Sequence, residues 1–234
     1  MKKVKLWDVP TRISHWSLAV LVVAAFLTGL TGGGLMNLHG KIGALIAAII
    51  GFRLVWGVLG TTYARFSTFV RGPATIMAYL RGQWRGPGHN PLGALSVLGM
   101  FAVLVLQILT GLFSDDDIAY QGPYNVLANA EIEALATSLH KFIYWLIAML
   151  VALHLGAIAF YARVKGENLL TPMITGTKEI HLTDPHEPVK DASGGGWPAL
   201  TVAIAVALTV YWLALGGPVD DLLPPTPSTA APDW

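Results

Sequence analysis

The sequence predicts an all-α integral membrane protein, in which a four-helix transmembrane bundle is followed by a fifth, C-terminal transmembrane helix. Hydrophobic residues make up 54% of the 234 residues and charged residues only 12%, and the mean hydropathy is +0.57. Such a composition is too apolar for a soluble domain of this length. Crossing a bilayer takes about 20 apolar residues, and five runs approach or exceed that length. They cover residues 13–30, 42–59, 92–113, 139–161 and 198–215.

Local signals set the ends of the first span and suggest structure in two loops. Asp8 is expected to cap the first helix, with Pro10 in its opening turn, and the glycines at residues 32–34 are expected to end it. The N-terminal segment is basic and then apolar, as in a signal peptide, but Asp8 and Pro10 interrupt it and no small-residue cleavage site follows. We therefore expect a retained first span. The loops at residues 73–82 and 123–136 are either helices lying along the membrane interface or turn-rich connections.

The chain divides into two parts by composition. Residues 1–178 are expected to form the four-helix domain. Residues 179–234 supply a polar linker, the fifth helix and an acidic, proline-rich tail that we expect to be extended from Pro218 onward. No internal repeat is evident.

The distribution of charge predicts how the chain crosses the membrane. Lysines and arginines precede span one and lie in the loops between spans two and three and between spans four and five. The loop between spans three and four and the C-terminal tail carry acidic residues and no lysine or arginine. Because positive residues in short loops stay on the cytoplasmic side, we expect a bacterial inner-membrane protein with a cytoplasmic N-terminus and a periplasmic C-terminus. This orientation requires an odd number of spans.

Composition also excludes several classes of partner and cofactor. The net charge is only +1, and no basic patch interleaved with aromatic residues suggests nucleic acid. The chain has no cysteine, which excludes disulfides, cysteine-ligated iron–sulfur clusters and haem attached through thioethers. A metal would have to be held by histidine, carboxylate or methionine.

Four of the seven histidines lie in or at the mouth of predicted spans, namely His15, His39, His140 and His154. Ionisable side chains at membrane depth are costly and usually functional, although a single one could be a satisfied hydrogen-bonding residue. The predicted orientation puts His15 and His154 toward the cytoplasm and the other two toward the periplasm. His140 and His154 are fourteen residues apart, on nearly the same helical face and ~21 Å apart along the axis.

The chemistry of these pairs favours haem over zinc. A zinc site normally recruits four protein ligands, whereas two imidazoles on opposite sides of a macrocycle-bound iron complete a six-coordinate haem, and bundle cores readily hold such groups. We therefore predict two haem groups, an inner one on the cytoplasmic side held by His15 with His154 and an outer one on the periplasmic side held by His39 with His140.

The same spacing singles out one residue on each of the first two spans. Gly29 lies fourteen residues after His15, where it would leave room for a planar cofactor or serve ordinary helix packing. Arg53 lies fourteen residues after His39. Its guanidinium would pair with a haem propionate or extend to the cytoplasmic headgroups.

Two lysines and three further histidines lie outside the two histidine pairs. Lys41 and Lys141 lie within two positions of an outer histidine, where they would neutralise propionates of the outer haem, dock an acidic partner or be placed by chance. The histidines His89, His181 and His186 lie outside the spans and are expected to be solvated loop residues.

Several segments resemble the bacterial cytochrome b561 family, which is close to the b-type cytochrome subunits of nickel–iron hydrogenases and the membrane subunits of formate dehydrogenases. The resemblance rests on WDVPTRISHW, RFSTFVRGP, GHNPLG, the paired histidines of span four and GENLLTPMITG, and it covers about residues 5–178. It implies a four-helix bundle with two b-type haems and quinone exchange at one side of the membrane. The family's ligands would correspond to His15, His39, His140 and His154. Residues 179–234 depart from the short, four-span members.

We therefore expect a respiratory dihaem b-type cytochrome that transfers electrons between the quinone pool and a periplasmic redox partner such as a c-type cytochrome. The alternative within electron transfer is a membrane-anchor cytochrome b subunit of a hydrogenase or dehydrogenase complex. A transporter with a histidine proton relay is a third hypothesis. Such transporters usually show internal repeats or broken helices near the midplane of the membrane, and neither is visible in this sequence. A quinone site is expected near Arg53, His89 and residues 163–168. Quinol turnover by the chain itself and its oligomeric state, with a dimer among the options, are left open.

Overall fold

The computed structural model describes residues 2–83, 88, 90–118, 120–180 and 190–220. Five of the helices in these segments are long and apolar enough to cross a membrane, which confirms the expected all-α membrane fold with five spans. In chain order the elements are β1 (Lys2–Lys5), α1 (Val9–Thr31), α2 (Met36–Leu59), α3 (Phe66–Phe69), α4 (Pro73–Leu80), α5 (Pro91–Phe113), α6 (Ala130–Phe160), α7 (Leu170–Thr175), β2 (Thr177–Ile180), α8 (Trp197–Ala214) and α9 (Gly217–Asp220). The five membrane-spanning helices are α1, α2, α5, α6 and α8.

The first span begins and ends as its sequence predicts. The Asp8 side chain accepts a hydrogen bond from the backbone N–H of Thr11, at 2.6 Å, so that it caps α1. Gly32 ends the helix with a φ of 65°, and its N–H donates to the carbonyl of Thr28. A left-handed conformation of this kind suits glycine because it has no Cβ.

The helix α6 is longer than expected and takes in part of the second predicted loop. Residues 123–136 were expected to contain a separate interfacial helix or a turn-rich connection, but α6 already begins at Ala130 after a short 3₁₀ turn at Asn125–Leu127. Glu131 and Glu133 occupy its first turn, where carboxylates are stabilised by the positive end of the helix dipole. The other loop, at residues 73–82, does form a helix, α4.

A small antiparallel sheet, which the sequence did not predict, closes one end of the bundle. Strand β1 pairs with β2, with Lys2 opposite Ile180 and Lys5 opposite Thr177. The side chain of Val4 is fully buried, and an Arg12 N–H donates to the carbonyl of Ile174. We call this end of the bundle the strand end. The opposite end, which contains residues 114–118 and 120–129, is called the acidic end.

The fifth helix packs closely against α2. The isoleucines of α2 that face α1 and α5 form one buried cluster, and its alanines form another with Ala214 of α8. Ala203 of α8 is fully buried in a third cluster with Trp56 and Ala64. A Cβ placed on Gly51 would lie 3.0 Å from Cγ2 of Val210. Small residues permit such close helix approach in membranes. Of the tail expected to be extended, residues 218–220 belong to the short helix α9, and the rest lies outside the described residues.

Candidate cofactor site

Two histidine pairs lie between the helices, one toward each end of the bundle. Near the strand end, His15 of α1 faces His154 of α6, with ring centroids 6.4 Å apart and planes inclined by 50°. Near the acidic end, His39 of α2 faces His140 of α6, with centroids 6.1 Å apart and planes inclined by 87°. Helix α6 thus contributes one histidine to each pair, and α1 and α2 contribute one each.

The spacing within each pair fits an iron ion held between two imidazoles. An imidazole nitrogen bound to a first-row metal lies about 2 Å from the metal. If the ring bonds have the length of a partial double bond such as the peptide C–N, about 1.33 Å, the centroid of a five-membered ring lies about 1.1 Å from each ring atom. Two imidazoles bound on opposite sides of one metal therefore have centroids roughly 6.2 Å apart. Among the residues that the structure describes, no group of three or more histidines and acids forms a metal site without such a cofactor.

The imidazole of His39 is fixed by α1. Its Nδ1 lies 3.1 Å from the carbonyl oxygen of Ala25 and 3.3 Å from Oγ1 of Thr28. Because both groups accept a hydrogen bond, they favour the tautomer with the proton on Nδ1 and leave the lone pair on Nε2. A Cβ on Gly29 would lie 3.0 Å from Cε1 of His39. The imidazole itself therefore occupies the space beside Gly29 in which a planar cofactor was expected.

The imidazole of His140 is fixed in the same way by α5. Its Nδ1 lies 2.9 Å from the carbonyl oxygen of Gln107 and 3.2 Å from Oγ1 of Thr110. A Cβ on Gly111 would lie 2.8 Å from Cε1 of the ring. The side-chain amide nitrogen of Gln107 lies 3.1 Å from Nε2, which again puts the lone pair on Nε2. This amide would have to rotate away before a metal could bind there.

These supporting residues were missed in the sequence, although a signal for them exists. The tetrapeptide LTGL occurs twice, at residues 27–30 in α1 and at residues 109–112 in α5. Only the folded arrangement shows that each copy contacts a histidine of the same pair.

The pair at the strand end has a different environment. Within the described part of the chain, Nδ1 of His15 and Nη1 of Arg53 are buried without a hydrogen-bond partner. The Arg53 guanidinium lies 5.9 Å from the ring centroid of Phe101, within reach of a cation–π interaction. A buried cationic group with an unpartnered N–H is chemically suited to a carboxylate.

The remaining predicted site residues lie further from the pairs or are not described. Lys41 and Lys141 are exposed on α2 and α6, one or two positions from an outer histidine. His89, His181 and His186 lie outside the described residues.

A polar cluster and a cavity lie at the strand end of α6. The hydroxyl groups of Tyr79 and Tyr161 are hydrogen-bonded to each other, and the Asn90 side-chain amide donates to Tyr161 at 2.9 Å. Tyr161 opens a single π-helical turn at Tyr161–Lys165, a feature often found at functional sites. A cavity of about 370 Å³ lies beside the turn, lined by apolar side chains and Asn168.

Paired, half-buried histidines within a membrane-spanning helical bundle define the class of this protein, an integral-membrane bundle of the kind that can hold a cofactor between its helices. The family model described as prokaryotic cytochrome b561 matches residues 6–176, and the chain belongs to that family. It is therefore a multi-pass bacterial membrane protein of the prokaryotic cytochrome b561 family. The family resemblance of its motifs is confirmed.

Curated relatives cover only part of the chain. The probable Ni/Fe-hydrogenase 1 B-type cytochrome subunits of Escherichia coli K12 and of Escherichia coli O157:H7 are each 25% identical to it over 137 residues. Each alignment covers 45% of this chain and 57% of the relative. The chain thus spans little more than half the length of these relatives. No solved structure matches the chain significantly.

Proposed function

We propose that this protein is a dihaem cytochrome b that transfers electrons across the bacterial inner membrane, between the quinone pool and a periplasmic redox partner such as a c-type cytochrome. His15 and His154 hold the inner haem, at the strand end, and His39 and His140 hold the outer haem, at the acidic end. Each haem iron, when bound, supplies a one-electron couple. The observation that carries the proposal is the centroid spacing of 6.4 Å and 6.1 Å in two pairs, about 21 Å apart along α6.

Charged residues near each pair support it. The buried, unpartnered Nη1 of Arg53 suits a propionate of the inner haem, and Lys41 and Lys141 suit those of the outer haem. Arg53 also stacks near Phe101, so its guanidinium lies between helices. This packing favours the propionate role over extension to the lipid headgroups.

The orientation of the bundle follows from its charges. Strand β1 and the segments after α2 and α6 bring most lysines and arginines to the strand end, which we place in the cytoplasm. The acidic end, with Asp115, Asp116 and Asp117, then faces the periplasm. An electropositive redox partner would be steered toward it.

The quinone would bind at the strand end, close to the inner haem. The cavity beside Asn168 offers apolar walls for an isoprenoid tail, and Tyr161 follows His154 by seven residues, about two helical turns along the chain. Replacing Ala162 in the cavity wall by leucine should slow haem reduction by added quinol. Reduction by dithionite, which needs no such site, should be unchanged. Equal rates with quinol in both proteins would place the quinone elsewhere.

The test of the proposed function is a cofactor count. The full chain is purified in mild detergent from cells supplied with a haem precursor, and haem is measured per chain by the pyridine haemochrome method. We expect two haem b per chain and reduced-minus-oxidised bands typical of b haem. A folded, helical protein with no haem, or with one, would overturn the dihaem proposal.

A second candidate is a membrane-anchor cytochrome b subunit of a hydrogenase or dehydrogenase complex. It is favoured by the similarity to subunits whose names assign them to a Ni/Fe-hydrogenase. Gentle affinity purification distinguishes the two. An anchor subunit should retain a cysteine-rich partner with acid-labile sulfide, whereas a cytochrome that serves a soluble periplasmic partner should yield haem iron only.

A further inference from the structure

The two LTGL segments hold the outer histidines through the same set of contacts. In α1, the Thr28 hydroxyl donates to the carbonyls of Ala24, at 2.8 Å, and Ala25, at 3.2 Å. Since its single proton is used there, its oxygen can only accept from Nδ1 of His39. The carbonyl of Ala25 accepts from the same nitrogen.

The second segment repeats this arrangement on α5. The Thr110 hydroxyl donates to the carbonyls of Leu106, at 2.9 Å, and Gln107, at 3.0 Å. Its oxygen and the carbonyl of Gln107 both face Nδ1 of His140. In each case the acceptor carbonyl belongs to the residue three positions before the threonine, and the glycine after the threonine admits the ring.

We infer that these two segments are matched positioning cradles for the ligands of the outer haem. Thr28 with Gly29 orients His39, and Thr110 with Gly111 orients His140. Each threonine and carbonyl keeps the proton on Nδ1 and so presents the Nε2 lone pair for iron. Hydrogen bonds to the second nitrogen also make an imidazole ligand more basic. This inference rests on the proposed ligand role of His39 and His140.

His15 of the inner pair lacks such a cradle. Among the described residues, Nδ1 of His15 has no hydrogen-bond partner. Substitutions in the cradles should therefore affect the outer haem alone, which separates their role from a general effect on the bundle.

The glycine test uses the close approach of the ring. Gly111→Ala puts a Cβ 2.8 Å from Cε1 of His140, and Gly29→Ala puts one 3.0 Å from that of His39. Because each glycine lies within a long helix whose backbone cannot easily move, the imidazole ring must shift in both variants. We therefore expect the outer haem to be released roughly tenfold faster. Gly99→Ala is the matched control on α5, because a Cβ there meets nothing within 4 Å. Equal loss of haem in Gly99→Ala, or none in Gly111→Ala, would overturn the cradle.

The threonine test uses the electronic effect. Thr28→Val and Thr110→Val keep the side-chain shape but remove an acceptor from Nδ1. The imidazole becomes less basic, so ferric iron is less stabilised, and we expect the midpoint potential of the outer haem to rise while that of the inner haem is unchanged. Thr28→Ser and Thr110→Ser should restore the original potential. Low-spin ferric EPR, whose largest g value reports ligand orientation, provides a second readout.

Failure of the cradle is distinguishable from failure of the proposed function. If His39→Ala and His140→Ala leave both haems in place, the ligand assignment itself is wrong. If these histidine variants remove one haem, but the glycine and threonine variants match the wild type in haem retention, midpoint potential and EPR spectrum, the ligand assignment is correct and the cradle inference is wrong.

Discussion

The indole N–H of Trp56 donates a hydrogen bond to Oδ2 of Asp8, at 3.1 Å, although the two residues are 48 positions apart. The hydroxyl of Thr61 donates to the same oxygen, and Oδ1 caps α1 through Thr11. Trp56 is only 1% exposed. A single carboxylate therefore joins the start of α1, the end of α2 and the turn that follows.

Replacing Asp8 by alanine should destabilise the strand end of the bundle. The change removes a helix cap, which costs about 1 kcal/mol, and leaves a buried indole N–H unpaired, which costs roughly 1–3 kcal/mol. We expect a total loss of about 2–4 kcal/mol, measured by denaturation of the purified protein in mixed detergent. Asp8→Asn keeps one acceptor oxygen and should lose less. Unchanged stability in Asp8→Ala would show that these hydrogen bonds are unimportant.

Histidine substitutions should remove haem in pairs. His39→Ala and His140→Ala should each abolish the spectral component of the outer haem, because a six-coordinate iron needs both imidazoles. His15→Ala and His154→Ala should abolish the other component. Redox titration followed at the haem absorption bands measures this.

Combining two substitutions checks the pairing. The double variant of His39 and His140 should lose no more than either single variant, whereas combining His39→Ala with His154→Ala should remove all haem. If His15 and His140 shared a component instead, the assignment of the pairs would be wrong.

Replacing Arg53 by leucine should lower the midpoint potential of the inner haem. A positive charge beside the site disfavours the ferric form, so its removal stabilises that form. At an effective dielectric constant near 20, the expected shift is on the order of tens of millivolts. Arg53→Lys keeps the charge and should shift the potential less. An unchanged potential in Arg53→Leu would favour the alternative that the guanidinium reaches toward the headgroups.

Features that depend on the residues of a single helix could be predicted from the sequence. The cap at Asp8, the end of α1 at Gly32 and all five spans follow from local residue types, and the structure has them. The start of α6 was placed too late because Glu131 and Glu133 suggested an interfacial segment. Nothing in a one-dimensional pattern distinguishes acidic residues in a loop from those in the first turn of a long helix.

Features that depend on contacts between distant segments could not be predicted. Strand β1 is a short, lysine-rich segment whose partner β2 lies about 175 residues away, and strand pairing at that separation leaves no local signal. The role of Thr28 and Thr110 likewise depends on which histidine packs against them. Haem ligation and membrane orientation stay predictions.

The packing of α8 on α2 can be tested by a disulfide, since the chain has no cysteine of its own. A Cβ placed on Gly51 would lie 3.4 Å from Cβ of Val210, and disulfides join Cβ atoms roughly 3.5–4.5 Å apart. The double variant Gly51→Cys with Val210→Cys should therefore oxidise readily in detergent, measured as lost reactivity with a maleimide of high mass.

Gly43→Cys with Val210→Cys is the matched control for this disulfide. Gly43 also lies on α2, but a Cβ there meets nothing within 4 Å, so both thiols should stay reactive. If the Gly51 pair stayed reduced as well, α8 would not pack on this face of α2. If it oxidised, the fifth helix would be fixed against α2, the helix that carries both His39 and Arg53.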